Sequence, residues 1–401
     1  MRVLQINTGC GFGSTGRTSV ELAQALADGG HECHIAYGQG KSDYPNSYKI
    51  GGRLENHLHN AGSRLFGNQG YYSKAGTRGL IRYAESLCPD VVHLRNLHGN
   101  YLNLEILFRY LASRPTPVVW TLHDCWAFTG KCAHYTRVDC QKWQTRCHHC
   151  PQVRAYPPSL FWDRSARMYE DKKRWFTSIS KMTVVAVSEW LAGEARKSFL
   201  AQYPVRCVYN WVDSATFKPA GGTRERFGLA AEDFVVLAVS AGWDQDDIKM
   251  MDLIALSRML RGEAKIVLVG RLRGGGRVPE GFVHVPYTAD THELAQLYSM
   301  ADVYAHLSVE DTFGKVIAEA LACGTPAVVY NSTACPEVVG PGCGFVVEPR
   351  NLEQYRGAIM RVKRAGKGAF SPACVEFARM QYDLIRNARR YVSIYQELQE
   401  A

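Results

Sequence analysis

Short, uninterrupted runs of apolar and β-branched residues alternate with longer helix-like segments along the chain. Apolar runs without polar alternation are typical of strands buried on both faces, and strands that alternate with helices predict right-handed βαβ units with parallel sheets. The pattern occurs in both halves, so it predicts two Rossmann-like domains. The predicted strands are Val3–Asn7, Cys33–Tyr37, Val91–Leu94, Val118–Leu122, Thr183–Val187, Phe234–Ser240, Lys265–Gly270, Val303–Leu307 and Pro326–Tyr330.

The length of 401 residues is too great for one ordinary core. The segment Lys218-Pro219-Ala220-Gly221-Gly222 has the composition of a linker between the two sets of strands. We predict an N-terminal domain over 1–209, with a cysteine-rich loop at 125–160, and a C-terminal domain over 210–380. Helical spacing from about Ala373 onward predicts that 381–401 is a helix able to cross back to the first domain.

Composition excludes several classes of protein. With 46% apolar and 21% charged residues, the chain is neither disordered nor fibrous, and it has no run of 18 uncharged apolar residues. Its start turns polar too early for a signal peptide, and its thirteen cysteines suit reduced thiols. We therefore expect a cytoplasmic protein, with peripheral attachment to the inner membrane face left open. The net charge of +9 favours phosphates or anionic lipids, and no module that reads nucleic acid is present.

A glycine-rich segment follows the first predicted strand, at the end of the strand where open α/β sheets bind ligands. Gly11, Gly13 and Gly16 fit the pattern G-x-G-x-x-G ahead of a helical stretch, where backbone amides can approach a phosphate. The second predicted strand leads into Tyr37-Gly38-Gln39-Gly40 without an acid for a ribose, which argues against a nicotinamide enzyme. Glycines that merely permit a tight turn are the simpler alternative.

Two acids, Asp311 and Glu319, follow a strand of the second half. A helical path of eight residues spans about 12 Å, too long for a glycosidase pair separated by about 5–9 Å. The acids instead suit the two ends of an extended ligand such as a nucleotide diphosphate sugar. The diphosphate of that ligand would be held by the backbone amides of Phe313, Gly314 and Lys315 at the start of the helix. The alternative is a helix cap at Asp311 and a solvated Glu319.

The segment that begins at Asp311 and continues through Gly324-Thr325-Pro326, Cys335-Pro336-Glu337 and Gly344–Pro349 resembles the nucleotide-sugar motif of glycosyltransferase family 4. Trp120–Trp126, with the sequence WTLHDCW, is similar to a subgroup that builds bacterial polysaccharides, O-antigens and colanic acid. The resemblance implies a GT-B fold, in which two Rossmann-like domains face each other across an interdomain cleft. It also implies a retaining hexosyltransferase that uses a nucleotide diphosphate sugar and no catalytic metal.

The resemblance assigns roles to individual residues. Asp311 takes the place of the acid near the reacting sugar, where the family usually has Glu, and Glu319 that of the acid bonded to the ribose. His123 matches a histidine close to the donor sugar, although a structural histidine is the alternative. Gly13 and Gly16 fall in the loop that approaches the diphosphate.

The sequence departs from the family where a cation pair normally neutralises the diphosphate. Ala241–Met250 carries acids and one lysine, so Lys249 or Arg271 would substitute. Because leaving-group charge must be stabilised, the loss of one cation costs on the order of 2–4 kcal/mol. A non-catalytic nucleotide-sugar-binding protein with a degenerate donor site is therefore the alternative to an enzyme.

Four cysteines lie in a loop-like segment of the first half: Cys132, Cys140, Cys147 and Cys150. The spacing of the second pair is that of a zinc chelate, and a loop of this size has little core of its own. We predict a structural zinc at these four residues. Because the first pair is spaced irregularly, reduced cysteines that pack as small hydrophobic residues are the alternative.

Bases and aromatic residues interleave over residues 161–176, a pattern that suits an anionic membrane surface or a solvated helix with an apolar inner face. Together the sequence predicts transfer of a sugar from a UDP- or GDP-sugar to a saccharide acceptor, a lipid-linked one included. The predicted setting is cell-surface polysaccharide biosynthesis.

Overall fold

The computed structural model describes residues 1–221 and 224–400, so Gly222 of the predicted linker and the terminal Ala401 lie outside the described residues. The chain divides into two compact units. The first comprises Met1–Tyr209 and the segment that begins at Ile385, and the second comprises Asn210–Leu384.

The first unit contains a parallel sheet of seven strands in the order β3-β2-β1-β4-β5-β6-β7. These strands are β1 (Arg2–Asn7), β2 (Glu32–Tyr37), β3 (Ser47–Lys49), β4 (Val91–Leu94), β5 (Val118–Leu122), β6 (Met182–Ala186) and β7 (Val205–Cys207). Its helices before the unit boundary are α1 (Gly13–Asp28), α2 (Arg53–Phe66), α3 (Lys74–Leu87), α4 (Leu104–Ala112), α5 (Ser165–Phe176) and α6 (Glu189–Arg196).

The second unit contains a parallel sheet of six strands in the order β10-β9-β8-β11-β12-β13. These are β8 (Val235–Trp243), β9 (Lys265–Leu272), β10 (Phe282–Val285), β11 (Val303–His306), β12 (Ala327–Tyr330) and β13 (Gly344–Val347). Its helices are α7 (Ile248–Met259), α8 (Thr291–Met300), α9 (Lys315–Ala322), α10 (Cys335–Val338), α11 (Leu352–Ala365) and α12 (Ser371–Gln381).

The central strands carry both cores. Val3, Leu4 and Ile6 of β1 are at most 2% exposed, because helices cover both faces of a parallel sheet. In the second unit, apolar residues of β8, β9, β11 and β12 form a core cluster with those of α7 and α11.

Four short strands at the sheet edges were not predicted from the sequence: β3, β7, β10 and β13. Most of their residues are only partly buried, so they lack a continuous apolar run. The strand predicted to end at Ser240 continues to Trp243, across an irregularity between Val239 and Gly242. The segment Ala241–Met250, which was expected to form a loop that binds the diphosphate, therefore begins within strand β8.

The single C-terminal helical stretch predicted from about Ala373 is two helices. α12 ends at Gln381 and belongs to the second unit, whereas α13 (Leu384–Glu400) packs in the first unit from Ile385 onward. The hydroxyl of Tyr395 lies 2.8 Å from Nδ1 of His93 on β4, which ties α13 to the first sheet. Helix α13 lies within the segment 381–401 that was predicted to be a helix, and the helical spacing noted from about Ala373 is interrupted at residues 382–383.

Candidate active site

The glycine-rich segment of the first unit is held by Asn7 at the end of β1. Its amide donates to the carbonyls of Gly9 at 2.8 Å and Thr15 at 3.1 Å. Gly11 and Gly13 have φ angles of +84° and +66°, and nothing lies within 4 Å of where a Cβ would stand. Both positions require glycine for the backbone conformation and leave space in front of the chain.

The predicted helix after this segment starts earlier than expected, so Gly13 and Gly16 belong to α1. Gly16 is buried, and a Cβ there would lie 3.2 Å from the carbonyl carbon of Gly9. The prediction that Gly16 lies in a loop facing a ligand was therefore wrong about its position. Its observed role is close packing of α1 against the preceding loop.

His123 follows β5 directly, and its Nε2 lies 3.3 Å from a terminal nitrogen of Arg95. A guanidinium can only donate a hydrogen bond, so Nε2 accepts and the proton of a neutral imidazole lies on Nδ1. Burial and the charge of Arg95 lower the pKa of His123 to about 3. His123 is therefore a neutral hydrogen-bond donor at physiological pH.

Asp124 begins a second chain of polar contacts in the first unit. Its Oδ2 accepts from Nε2 of His98 at 2.6 Å, and Nδ1 of His98 lies 2.7 Å from the hydroxyl of Tyr156. Burial alone would raise the pKa of Asp124, but the charge and hydrogen bond of His98 lower it to about 2. The carboxylate is therefore ionised at physiological pH.

Asp311 lies in the second unit between β11 and α9, and His306 holds its carboxylate. Nε2 of His306 is 2.9 Å from Oδ2 of Asp311, and Nδ1 is 3.1 Å from the hydroxyl of buried Tyr304. The backbone N–H of Asp311 donates to Oγ1 of Thr333 at 3.0 Å. The backbone and side chain of Asp311 are thus both fixed by hydrogen bonds.

Cys335 lies beside the same carboxylate. Among the described residues, His306, Asp311 and Cys335 are the one group of three metal-binding side chains whose donor atoms all lie within 4.8 Å of one another. Burial and then the charge of Asp311 raise the pKa of the Cys335 thiol well above its ordinary value. Both ring nitrogens of His306 have hydrogen-bond partners in this arrangement, the hydroxyl of Tyr304 at Nδ1 and the carboxylate of Asp311 at Nε2.

Glu319 lies on α9, and its side chain is buried. The hydroxyl of Tyr298 donates to its Oε2 at 3.2 Å. Glu319 is 5% exposed, so the alternative of a solvated helix face is wrong.

α9 begins at Lys315, so the path from Asp311 to Glu319 is only partly helical. Gly314 caps the helix in the left-handed conformation, with φ at +77°. No acid lies in the first turn of α9, which leaves the partial positive charge of its N-terminus uncompensated there. Phe313 is 2% exposed and packs against Tyr382 within the second unit.

Cations gather at the carboxyl end of the second sheet. Nζ of Lys249 bonds to Oγ of Ser240 at 2.8 Å, and the guanidinium of Arg271 lies 4.3 Å from the ring centre of Tyr287. Arg273, which was not among the predicted residues, places its guanidinium in the space that a Cβ on Gly242 would take. Its position just after β9 was the available signal.

The four cysteines of the first unit line one small cavity of about 20 Å³, together with Trp143 and Gln152. The backbone N–H of Gly130 donates to Sγ of Cys147 at 3.1 Å. The four sulfurs do not form a group within 4.8 Å, so a tetrahedral site with Zn–S bonds of about 2.3 Å requires them to move closer.

The segment 161–176 divides into two environments. Phe161 and Trp162 are exposed, whereas Lys172, Trp175 and Phe176 of α5 are buried. Nζ of Lys172 donates to the carbonyl of Thr129 at 2.9 Å. The helical part of this segment therefore packs in the first unit and offers those three side chains to no membrane. No helix of the described residues is long and apolar enough to cross a bilayer.

The two units have the fold of GT-B glycosyltransferases. Sucrose-phosphate synthase from Thermosynechococcus elongatus is similar with a TM-score of 0.71 and 16% identity, over 99% of both chains. The Anabaena protein HepE in complex with UDP-glucose is similar with a TM-score of 0.68 and 15% identity, over 99% of this chain and 100% of that one.

Residues 15–216 match the family described as Glycosyltransferase Family 4, and residues 278–379 match Glycosyl transferases group 1. The chain belongs to glycosyltransferase family 4. A putative colanic acid biosynthesis glycosyl transferase, WcaC of Escherichia coli (strain K12), is 25% identical over 99% of this chain and 100% of its own length.

The residues that hydrogen-bond to His123, Asp124 and Asp311 were not predicted from the sequence. Arg95 and His98 come just after β4, and His306 ends β11, so the rule that chemistry follows strands would have found them. Tyr156 follows no strand directly and carries no such signal.

Proposed function

We propose that this glycosyltransferase moves a hexose from a nucleotide diphosphate sugar to a saccharide hydroxyl with retention of configuration. The observation that carries the proposal is the position of the Asp311 carboxylate. It is fixed by a hydrogen bond to His306, and Asp311 lies four residues before the start of helix α9. The donor is a UDP- or GDP-sugar, and the structural similarity to HepE bound to UDP-glucose supports a uridine nucleotide.

In the proposed reaction, the bond from the donor's anomeric carbon to the diphosphate oxygen breaks. The acceptor oxygen bonds to that carbon on the same face, and its proton passes to the departing diphosphate. Amides at the start of α9 and the cations Lys249, Arg271 and Arg273 stabilise the negative charge that develops. Lys249 and Arg273 also lie 3.7 Å and 3.6 Å from the carboxylates of Asp247 and Asp244, which share their charge. The similarity to a putative glycosyl transferase along its full length favours an enzyme over a degenerate binder.

The proposed roles of the two acids differ. Asp311 acts near the reacting sugar, and Glu319 bonds the ribose of the nucleotide. In the first unit, His123 donates Nδ1–H to a donor-sugar hydroxyl. With a pKa of about 3, it acts as a hydrogen-bond donor and not as a titrating acid or base near neutral pH. No divalent metal is needed, because helix amides and cations hold the diphosphate.

The setting we propose is cell-surface polysaccharide assembly on a lipid-linked acceptor. The similarity to the putative colanic acid transferase along its full length supports this setting. A thermal-shift screen of UDP- and GDP-sugars would identify the donor, because a ligand of the folded state raises its melting temperature. Product analysis with a saccharide acceptor would then establish transfer. Donor binding without nucleotide release, in the presence of acceptor, would show a binding protein instead.

We also propose that Cys132, Cys140, Cys147 and Cys150 hold a structural zinc. All four line one cavity, and a backbone N–H already faces the sulfur of Cys147. Burial raises the pKa of the thiols of Cys132 and Cys150, and the ammonium of Lys131, which donates to the carbonyl of Val153 at 2.8 Å, opposes that rise. Zinc would cross-link a loop with little core of its own.

A further inference from the structure

Three different metal-binding side chains meet beside the carboxylate of Asp311. They are the imidazole of His306, that carboxylate and the thiol of Cys335, and their donor atoms all lie within 4.8 Å of one another. They come from three points of the second unit: the end of β11, the loop before α9 and the first residue of α10. Nitrogen, oxygen and sulfur donors are the ligand types that bind zinc in proteins.

Backbone hydrogen bonds hold the thiol next to the carboxylate. The N–H of Asp311 donates to Oγ1 of Thr333 at 3.0 Å, and the carbonyl of Asp311 accepts from the N–H of Ala334 at 3.1 Å. The N–H of Cys335 donates to the carbonyl of Ser332 at 3.2 Å, which closes the turn before α10. Thr333 has φ at +50°, a left-handed conformation that is costly for a β-branched residue. The turn therefore fixes Cys335 against Asp311 in spite of local strain.

The donor atoms are nearly as far apart as in a tetrahedral zinc site. Zn–N and Zn–O bonds of about 2.0–2.2 Å and a Zn–S bond of about 2.3 Å place neighbouring donors about 3.3–3.6 Å apart. Nε2 of His306 lies 2.9 Å from Oδ2 of Asp311, so these two atoms need to separate by only about 0.4 Å. Since the sulfur of Cys335 is within 4.8 Å of both, it needs to approach by no more than about 1.5 Å. Three protein ligands leave a fourth position for water.

The hydroxyl of Tyr304 supplies the outer partner that a histidine ligand needs. Tyr304 is fully buried, and its hydroxyl lies 3.1 Å from Nδ1 of His306. Because an ionised carboxylate only accepts, Nε2 of His306 carries the proton in the hydrogen bond to Asp311. A metal ion at Nε2 takes the place of that proton, and Nδ1–H then donates to the hydroxyl of Tyr304. The contact with Tyr304 thus orients the ring for a metal ion as well as for the carboxylate.

Charge and accessibility also suit a zinc ion. The carboxylate of Asp311 and a thiolate of Cys335 carry two negative charges, so a bound Zn²⁺ makes the group neutral, as a largely buried site requires. The side chain of His306 is 8% exposed and Cys335 is fully buried, whereas the side chain of Asp311 is 30% exposed. An ion can therefore enter from the side of Asp311. Thiolate and imidazole ligands select zinc over Mg²⁺, which prefers oxygen ligands.

We propose that His306, Asp311 and Cys335 form an inhibitory Zn²⁺ site. Zinc binding releases the thiol proton of Cys335 to solvent and replaces the hydrogen bond between His306 and Asp311 with a bond from each residue to the ion. The carboxylate of Asp311 is then unavailable to the reacting sugar, so transfer stops. The ion is exchangeable, because one ligand position stays open to solvent. Inhibition rests on the proposed role of Asp311 in transfer, whereas the metal site rests on the geometry alone.

Metal binding is tested on the full chain with Co²⁺, whose visible spectrum reports tetrahedral and thiolate ligation. We expect the parent to bind about one more Co²⁺ per chain than Cys335→Ser, with stronger thiolate-to-cobalt absorption, and Zn²⁺ to displace that ion. The matched control Cys323→Ser changes another buried cysteine of the second unit and should bind Co²⁺ like the parent. The four cysteines of the first unit are the same in all three proteins, so their contribution cancels.

A second variant removes a different ligand. His306→Gln keeps the thiol and loses the imidazole, and it should bind the additional Co²⁺ as poorly as Cys335→Ser does. The test therefore does not depend on how one substitution affects folding. Equal Co²⁺ uptake by the parent and both ligand variants, or an equal loss in Cys323→Ser, would overturn the site.

Inhibition is tested by the transfer rate with and without Zn²⁺, each protein being compared with its own rate without added metal. The Zn²⁺ concentration that halves transfer should be more than about tenfold higher in Cys335→Ser than in the parent, because one ligand is lost. It should be unchanged in Cys323→Ser, and Mg²⁺ at the same concentrations should not inhibit the parent. Equal zinc sensitivity of the parent and Cys335→Ser, or full transfer by a parent that has bound the ion, would overturn the inhibitory role.

These outcomes separate the inference from the proposed function. A parent that binds the additional Co²⁺ through Cys335 but turns over no donor would refute the proposed transfer and leave the metal site intact. A parent that transfers sugar and binds no additional ion would refute the metal site and leave the proposed transfer intact.

Discussion

The guanidinium of Arg95 lies 3.3 Å from Nε2 of His123 and determines the tautomer of that histidine. Arg95 is 2% exposed and also donates to Thr18 at 2.7 Å, so its position is fixed. The imidazole of His123 therefore presents Nδ1–H in the direction away from the arginine.

Burial is the largest cause of the low pKa of His123, and the charge of Arg95 is the second. Replacing Arg95 with Met should therefore raise that pKa above about 3 but leave it below the ordinary value, because the neighbouring positive charge is removed and the burial remains. Histidine ring shifts followed by NMR across pH would show the change. The matched variant Arg196→Met, at an exposed position, should leave the titration of His123 unaltered. An unchanged titration in Arg95→Met would contradict the role of Arg95.

His306 should position Asp311 for catalysis. We expect His306→Leu to lower kcat by about 10- to 100-fold with little change in the KM for donor, because a misplaced carboxylate affects the transition state. His306→Gln keeps an N–H that can donate to Asp311 and should recover much of the rate. If the two variants were equally slow, a simple packing role for His306 would be the better explanation.

The buried histidines make the first unit sensitive to acid. Burial lowers the pKa of His59 to about 4, and burial with Arg95 lowers that of His123 to about 3. Between the unfolded pKa of about 6.5 and these values, the unfolded chain binds protons that the folded chain does not, so stability falls as pH decreases.

From pH 7 to pH 5, we expect each buried neutral histidine to cost about 2 kcal/mol of unfolding free energy. Urea melts at the two pH values would measure the loss. His59→Gln should reduce the difference in unfolding free energy between pH 7 and pH 5 by about 2 kcal/mol, the contribution of one buried histidine. A difference that is identical in parent and variant would argue against the buried neutral His59.

Purified protein should contain about one zinc per chain by elemental analysis. Cys147→Ser with Cys150→Ser should lose the metal and lower the melting temperature, because the loop then loses its cross-link. Cys88→Ser, at an exposed cysteine outside the cluster, should keep the zinc. Metal-free parent protein that is fully folded would end the zinc hypothesis.

The buried strands could be predicted because a parallel sheet covered on both faces requires continuous apolar runs, as in Val118–Leu122. The short outer strands could not, since strands such as Ser47–Lys49 are half-exposed. The break after Gln381 was also hidden. It occurs where the N–H of Val212 donates to the carbonyl of Tyr382 at 2.9 Å, a contact between residues distant in sequence.

Candidate residues at strand ends were visible for the same topological reason. Asp311 and His123 each follow a predicted strand, whereas the contacts that fix them depend on the folded structure. His98 and Tyr156, for example, are 58 residues apart and meet only in the fold. The solvent exposure of Leu54 and Leu58 on α2 could not be predicted either, because their helical spacing is the same as that of a buried apolar stripe.

The central claim is that Asp311 serves the transfer step and Glu319 the nucleotide. The direct measurement is nucleotide affinity by calorimetry together with transfer rate, in Asp311→Ala and Glu319→Ala. We expect Asp311→Ala to lose transfer at least 100-fold while it keeps nucleotide affinity within about threefold, and Glu319→Ala to weaken nucleotide binding at least tenfold. Parent-like affinity and transfer in both variants would contradict the account.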